Sequence, residues 1–419
     1  MTERINAAAQ SPSEAGNVLT DILRDGARRL LAQAIDAEVQ DWINGHAHLV
    51  DENGRRLVVR NGHSPEREIV TGLGPVPVRQ PRVRDKRPLG EREVFSSKLL
   101  PPYLRKTKTV EEFLPWLYLK GVSTGGFQEA LASLLGPECP GLSASTITRL
   151  KSVWEGEHEE WSRRSLKGKR YVYVWADGIY SNIRLEGDRQ CILVLMGATE
   201  GGTKELIALS DGFRESEESW KELLLDLKSR GLEYAPELAV GDGALGFWSA
   251  LRKVWPTTQE QRCTVHKTAN VLGKLPKSLH PQGKRMLHAI WDAPTKAEAD
   301  RAFDLFLKTF DAKYPKAIEC LAKDRGELLT FYSFSAEHWG HIRTTNPIES
   351  TFATIRLRHR KTKGNGTARA CVAMMFKLAE SASKTWRTLR GYRLIPDVIH
   401  GVEFEDGISK NSPPKAAAV

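Results

Sequence analysis

A chain of 419 residues, 40% hydrophobic and 27% charged, is long enough for two or three domains and reads as globular rather than disordered. No stretch approaches the roughly 20 apolar residues that span a bilayer, and the polar, acid-containing N-terminus does not read as a secretory signal. Its five cysteines (Cys139, Cys191, Cys263, Cys320, Cys371) are odd in number and scattered, which fits a reducing cytosol better than a disulfide framework.

The formal net charge of +10 is unevenly placed. Arg79 to Lys108 holds ten Lys or Arg against three acids, and His341 to Arg390 eleven against two, so the rest of the chain is net acidic. Two concentrated basic blocks suit phosphate-backbone binding, while a solvated basic surface is the plainer alternative.

In chain order, residues 1–50 form a helical arm, with Val18, Leu19, Ile22, Leu23, Leu30, Leu31, Ile35, Val39 and Ile43 at helical spacing. Residues 51–107 change to short β-branched runs and a basic linker, with Asn61-Gly62 marking a turn. Residues 108–160 read as three helices, over 110–120, 123–135 and 143–155. The last bears Ser145, Thr146, Thr148 and Arg149 and resembles the recognition helix of a helix-turn-helix, although a bundle without DNA would look similar.

From 168 to 269 the pattern is three strands, a helix, a strand, a helix and a strand, the element order of the RNase H fold. The strands are 171–175, 191–196, 205–209, 237–240 and 261–265. The helix over 216–230 has Trp220, Leu223, Leu224 and Leu227 on one face. Gly197 to Lys204 has phosphate-loop glycine spacing, but Thr and Lys are reversed and a strand follows, so it reads as a hairpin. Residues 270–340 are helical and strand-free, an insertion. Residues 341–405 return to helices, and 406–419 form a disordered Pro/Ala/Lys-rich tail. The expected class is α/β: an RNase H-like catalytic domain with an all-helical insertion, preceded by helical DNA-binding segments.

Asp177 ends the first strand in this reading, and Asp242 the fourth. Ligand sites of open α/β sheets form at carboxyl ends of strands, and a carboxylate pair there seats hard divalent cations. Two such cations about 4 Å apart activate the attacking oxygen and stabilise the leaving one. Asp-Gly is also a common turn dipeptide, which accounts for either aspartate alone. Glu349, in Asn346-Pro-Ile-Glu349, could be the capping partner of an Asn346 N-cap. It also shares a helical stripe with Arg356 and Arg360, which would put a carboxylate at the helix tip and DNA phosphates along its side. Cys263 and His266 are half a zinc site with no second half. They read as a core cysteine and a hydrogen-bonded histidine near the active site, with DNA contact by His266 as the alternative.

These motifs resemble bacterial insertion-sequence transposases of the Mutator-like, DDE-type family. The strand-end Asp177-Gly, Gly-Asp242-Gly, Cys263-Thr-Val-His266 and Arg343-Thr-Thr-Asn346-Pro-Ile-Glu349-Ser carry the resemblance, which runs from about residue 15 to 405. It implies Asp177, Asp242 and Glu349 as the catalytic, metal-binding triad, with an all-helical insertion between the last two. The cofactor would be Mg²⁺ at a two-metal site, with Mn²⁺ able to substitute. Terminal inverted repeats and target DNA would be bound by a homodimer or larger assembly in a bacterial cytoplasm, at the nucleoid. Rival readings are an RNase H-fold nuclease that cuts without joining and a non-catalytic DNA-binding regulator.

The candidate DNA-binding residues are Arg149, Arg343, Arg356, Arg358, Arg360, Lys361 and Lys363. Each phosphate contact adds about 0.9 to the slope of log affinity against log salt. Replacing Arg356 and Arg360 together is therefore expected to weaken binding to every duplex and flatten that slope by about 2. An unchanged slope in a salt titration would put both side chains against protein or water.

Overall fold

The strand run from Tyr171 is apolar on both faces because both faces are covered, and the rest of the C-terminal half is arranged around it. The computed structural model describes residues 12–410, apart from 111–112, 114–116, 118–125, 136–143, 183–188, 213, 244, 351 and 353–366. Contacts divide the chain into two compact units, Met1–Ile147 and Thr148–Val419.

In the first unit, α1 (Pro12–Gly45) is one long helix. Ile35, Val39 and Ile43, four residues apart, are buried, whereas Val18, Leu19, Ile22, Leu23 and Leu30 of the earlier turns are exposed. Strands β1 (Val58–His63) and β4 (Pro81–Asp85) pair antiparallel, as do β2 (Arg67–Thr71) and β3 (Gly74–Val78). Asn61-Gly62 is not the turn expected. Gly62 sits at φ +66 inside β1, where the register to β4 slips between Arg60 and His63, so the left-handed glycine makes a bulge. Glu38 of α1 accepts from the Lys98 amide at 2.6 Å and the Ser97 hydroxyl at 2.5 Å, tying the basic linker to the helix.

Of the three helices expected over 108–160, α2 (Gly126–Leu135) and α3 (Ala144–Ser162) are present, and the described residues of the first, 108–110, 113 and 117, are helical. The turns at 121–125 and 136–143 lie outside the described residues. The second unit holds a five-stranded sheet built of β5 (Tyr171–Asn182), β6 (Arg189–Thr199), β7 (Lys204–Gly212), β8 (Leu238–Gly241) and β9 (Gln259–Arg262). Across the sheet the order is β7-β6-β5-β8-β9. β5, β6 and β7 are antiparallel neighbours, while β8 and β9 run parallel to β5. The Gly197–Lys204 loop joins β6 to β7 as a hairpin, with Gly202 at φ +75.

Helices α4 (Glu217–Ser229) and α5 (Leu245–Val254) cover one sheet face. Ser216 caps α4, its hydroxyl accepting from the Ser219 amide, and Trp220, Leu223, Leu224 and Leu227 are buried as their spacing predicts. On the other face, the Trp175 ring N–H donates to the His341 carbonyl at 2.9 Å and the Tyr173 hydroxyl meets His338 Nδ1 at 2.8 Å. After β9 come α6 (Thr264–Leu272), α7 (His280–Trp291), α8 (Lys296–Phe310) and α9 (Pro315–Ala322), with no strand among the described residues from 270 to 340. The expected disordered tail does not begin at 406: Phe404–Glu405 pairs antiparallel with Ile408–Ser409 in a small hairpin. No helix of the described residues is long and apolar enough to cross a membrane.

Trp220 is 1% exposed and meets the Phe247 ring edge-on at 4.9 Å. Trp220→Ala is expected to lower stability by about 3–5 kcal/mol in urea denaturation, the cost of an unfilled aromatic site. A loss below about 1 kcal/mol would mean that the layer relaxes to fill it.

Candidate active site

The site is laid out by strand register. Ala176 of β5 pairs with Gly241 of β8, and Gly241 with Arg262 of β9, all parallel. The residues one step further along the three strands are Asp177, Asp242 and Cys263, which form one row. Neighbouring strands are about 4.8 Å apart, so the two aspartates are adjacent by backbone geometry alone. Asp177 does not end its strand, as the sequence pattern suggested. β5 runs on to Asn182 beside β6, with Asp177 opposite Val194. The strand that ends is β8, and its stop opens the space in front of Asp177. Asp177 is 6% exposed and Asp242 half-buried.

Two donors fix the Asp242 peptide. Its carbonyl accepts from Arg262 Nη1 at 2.7 Å and from the Trp248 ring N–H at 2.9 Å, and the guanidinium lies over the Trp248 ring at 4.6 Å. Cys263 is extended, its amide donating to the Gly241 carbonyl at 2.7 Å, and α6 starts at the next residue. β9 is thus shorter than expected at its far end, and Cys263 and His266 share one helical first turn.

Glu349 arrives by a different route. Residues 346–350 are helical, and the capping position belongs to Thr345 rather than Asn346, since the Glu349 amide donates to the Thr345 carbonyl at 3.1 Å. Asn346 is exposed in the first turn. Thr345 Oγ1 is 3.4 Å from Cys263 Sγ, 3.3 Å from His266 Nδ1 and 3.2 Å from Glu349 Oε1, and its amide donates to the same sulfur at 3.3 Å. His266 Nε2 lies 3.5 Å from Glu349 Oε1. Cys263, His266 and Glu349 each bring an atom within 4.8 Å of the other two. The Cys-x-x-His half-site thus meets the predicted carboxylate.

The electrostatics are those of a crowded anionic cleft. His266 is raised to about 9, first by its hydrogen bond to Cys263 and, against the opposing effect of burial, by the charges of Cys263, Asp177 and Asp242. Burial alone would push the Cys263 thiol up; hydrogen bonds from His266 and Thr345 outweigh it and bring the thiol down. Glu215, a residue the sequence reading passed over, is pushed up to about 7 by burial and by the nearby charges of Asp242 and Asp177. It sits just before Ser216, in a run that reads as an ordinary acidic helix start. The one local signal is Arg214 before it, in the left-handed region at φ 58.

The expected DNA contacts fall unevenly. Arg149 is exposed on α3. Arg343 is engaged by protein, donating to the Trp291 carbonyl at 2.5 Å and pairing with Asp292 at 3.2 Å. Arg356, Arg358, Arg360, Lys361 and Lys363 lie outside the described residues. A cleft of ≈ 440 Å³, lined by Thr264, Val265, Thr268, Trp291, Arg343 and Thr344 among others, opens beside the start of α6.

Asp177, Asp242 and Cys263 thus form a row across parallel strand ends, and among the described residues Glu349 gathers with Cys263 and His266 rather than with the two aspartates. The comparisons narrow the class. The family described as "Transposase, Mutator family" matches residues 1–388. A transposase for insertion sequence element IS6120 of Mycolicibacterium smegmatis is 49% identical over 298 residues, which cover 71% of this chain and 92% of that one. A transposase for insertion sequence element IST2 of Acidithiobacillus ferrooxidans is 48% identical over 291 residues, covering 68% and 96%. A Drosophila P element transposase strand transfer complex covers 70% of this chain and 91% of that one at 11% identity and a TM-score of 0.23, too slight a likeness to carry a fold assignment. The chain belongs to the Mutator family of insertion-sequence transposases.

Because His266 is held above its ordinary 6.5, the stability it contributes is complete below that value and is lost as pH rises through about 9. Cys263→Ser is expected to move the imidazole titration, followed by NMR, down toward 6.5 and to remove that high-pH loss. An unchanged titration would show that the carboxylates, not the thiol, hold the proton on His266.

Proposed function

We propose that this transposase cuts DNA at the ends of its element and joins the freed 3′-hydroxyls to target DNA, using an RNase H-like domain with a helical insertion. The observation that carries the reading is the register that sets Asp177 beside Asp242 at the sheet's parallel edge, with Glu349 linked to the same cleft through His266. β5 changes there from an antiparallel to a parallel neighbour, the kind of switch point where α/β sheets bind ligands.

The donor set fits a hard divalent cation. Asp177, Asp242 and Glu349 offer carboxylate oxygens, and Glu215, raised first by burial and then by the charges of Asp242 and Asp177, adds a further acid to the same surroundings. When bound, Mg²⁺, or Mn²⁺ in its place, supplies Lewis-acid activation of the attacking oxygen and charge stabilisation of the leaving one. The chain's own residues position and balance charge. Arg262 and Trp248 hold the Asp242 peptide still. His266, carrying its proton at neutral pH, faces Glu349 and offsets part of the carboxylate charge. Thr345 fixes the turn from which Glu349 projects.

The partners in this reading are the element's terminal repeats and target DNA, engaged by two or more copies of the chain. The basic blocks would neutralise phosphates, and α3 would read the ends through Arg149.

Asp177→Ala, Asp242→Ala and Glu349→Ala are each expected to lower cleavage by more than about 10²-fold while leaving end binding and melting temperature near wild type. A pre-cleaved end carrying a 3′-hydroxyl should be joined by wild type alone. A Glu349→Ala protein that still cuts but melts early would assign Glu349 to helix capping, and cleavage without joining would make the chain a nuclease.

A further inference from the structure

The sheet brings two carboxylates to the site and the 346–350 helix a third, but a fourth enters from the opposite side. Side chains alternate along β5, so Asp177 lies on the face of Tyr173 and Trp175, which meet His338 and His341, while Gly178 lies on the face covered by α4 and α5. On that second face Glu215, in the connection from β7 to α4, lies directly on Gly178. A Cβ at Gly178 would stand 2.2 Å from Glu215 Oε1, 2.4 Å from its Cδ and 2.5 Å from its Cγ. The Glu215 backbone is held as closely: a Cβ at Gly246, in the first turn of α5, would come within 2.2 Å of the Glu215 carbonyl oxygen. Two glycines therefore vacate the space that this glutamate fills. Its carboxylate is hydrogen-bonded by the Tyr180 hydroxyl and is near enough to Asp242 and Asp177 to feel their charges.

An acid built into a cleft of acids costs stability until a proton or a cation neutralises it, since each like charge raises the cost of the others. A glutamate whose only role was to cap α4 would need no glycine in β5 to admit it, and Ser216 already provides that cap.

We propose that Glu215 is a fourth carboxylate of the cation seat, admitted close to the strand-end aspartates by the space that Gly178 leaves on the α4/α5 face of β5. The proposal rests on the cation-dependent reading above and adds a ligand to it. A hard divalent ion takes six or more oxygens, so a further carboxylate close to the strand-end aspartates tightens its hold without needing DNA to complete the shell. Gly178→Ala acts on the same contact from the other partner, because the added methyl can be accommodated only by swinging the flexible Glu215 carboxylate aside.

The test is Mn²⁺ binding to the full-length, DNA-free protein, read by electron paramagnetic resonance of the free ion and accompanied by thermal melts. Glu215→Gln, which keeps shape and removes charge, is expected to weaken Mn²⁺ binding by about 10-fold or more. Gly178→Ala is expected to do the same, and the double variant to bind no worse than the weaker single, as for two changes that break one contact. Asp177→Asn is the reference for the cation reading itself. If Asp177→Asn loses Mn²⁺ while Glu215→Gln binds like wild type, whatever its melting temperature, the assignment of Glu215 is overturned and the cation seat stands. If Asp177→Asn also binds like wild type, the cation seat falls with it. Should Gly178→Ala fail to fold, Glu215→Gln alone decides.

Discussion

The parallel register of β8 between β5 and β9 is the constraint on which the site depends. A strand shifted by one residue turns every side chain to the other face, so a slip of β8 would put Gly241 or Gly243 where Asp242 stands. What prevents the slip is burial on both faces. Tyr173, Val174, Trp175, Leu238, Ala239 and Val240 are all 0% exposed, and a one-residue slip would turn each of them to the opposite face. The packing that makes this the most apolar part of the chain also brings two aspartates together at its edge. Core stability and site geometry therefore have the same cause.

The third carboxylate depends on tertiary bonds rather than on the sheet. β5 reaches across to His338 and His341 through Tyr173 and Trp175, and His338 in turn meets the Gly391 carbonyl at 2.8 Å. From there the chain passes to Arg343, whose carbonyl accepts from the Thr264 amide at 3.0 Å and hydroxyl at 3.1 Å, and then to Thr345 against Cys263. Cys263 and His266 therefore act as a bracket between the end of β9 and the turn that carries Glu349. A soft thiol held close to its imidazole is satisfied within the protein, which leaves the oxygen ligands to face the cleft. On the far side of α6, Lys267 pairs with Asp324 in the helical segment and donates to the Cys320 carbonyl at 2.9 Å, so the start of this helix is anchored from both directions.

The parts legible in the sequence were those with a strong local signal. Trp220, Leu223, Leu224 and Leu227 mark a helix face by spacing alone, and the two apolar runs ending in Asp-Gly mark adjacent strands. Less legible were features decided across the fold. Asn61-Gly62 carries the dipeptide of a turn, but β4 runs alongside and turns it into a bulge. Asn346 has the side chain of a cap, yet Thr345 takes the position because its hydroxyl has Cys263, His266 and Glu349 around it. Asp177 looked like a strand end because the apolar run stops there, whereas β6 carries the strand five residues further. Glu215 gives no signal in the sequence. It reads as part of an ordinary acidic helix start around Ser216, and only the fold, through left-handed Arg214 and the approach of Gly178 and Gly246, singles it out.

The central claim is that the row across β5 and β8, with Glu349, seats a divalent cation through oxygen. The most direct measurement is anomalous X-ray scattering from crystals of the protein grown with Mn²⁺. The account predicts anomalous density in contact with the Asp177 and Asp242 carboxylates. Density held instead by Cys263, His266 and Glu349, with none at Asp177 and Asp242, would contradict it.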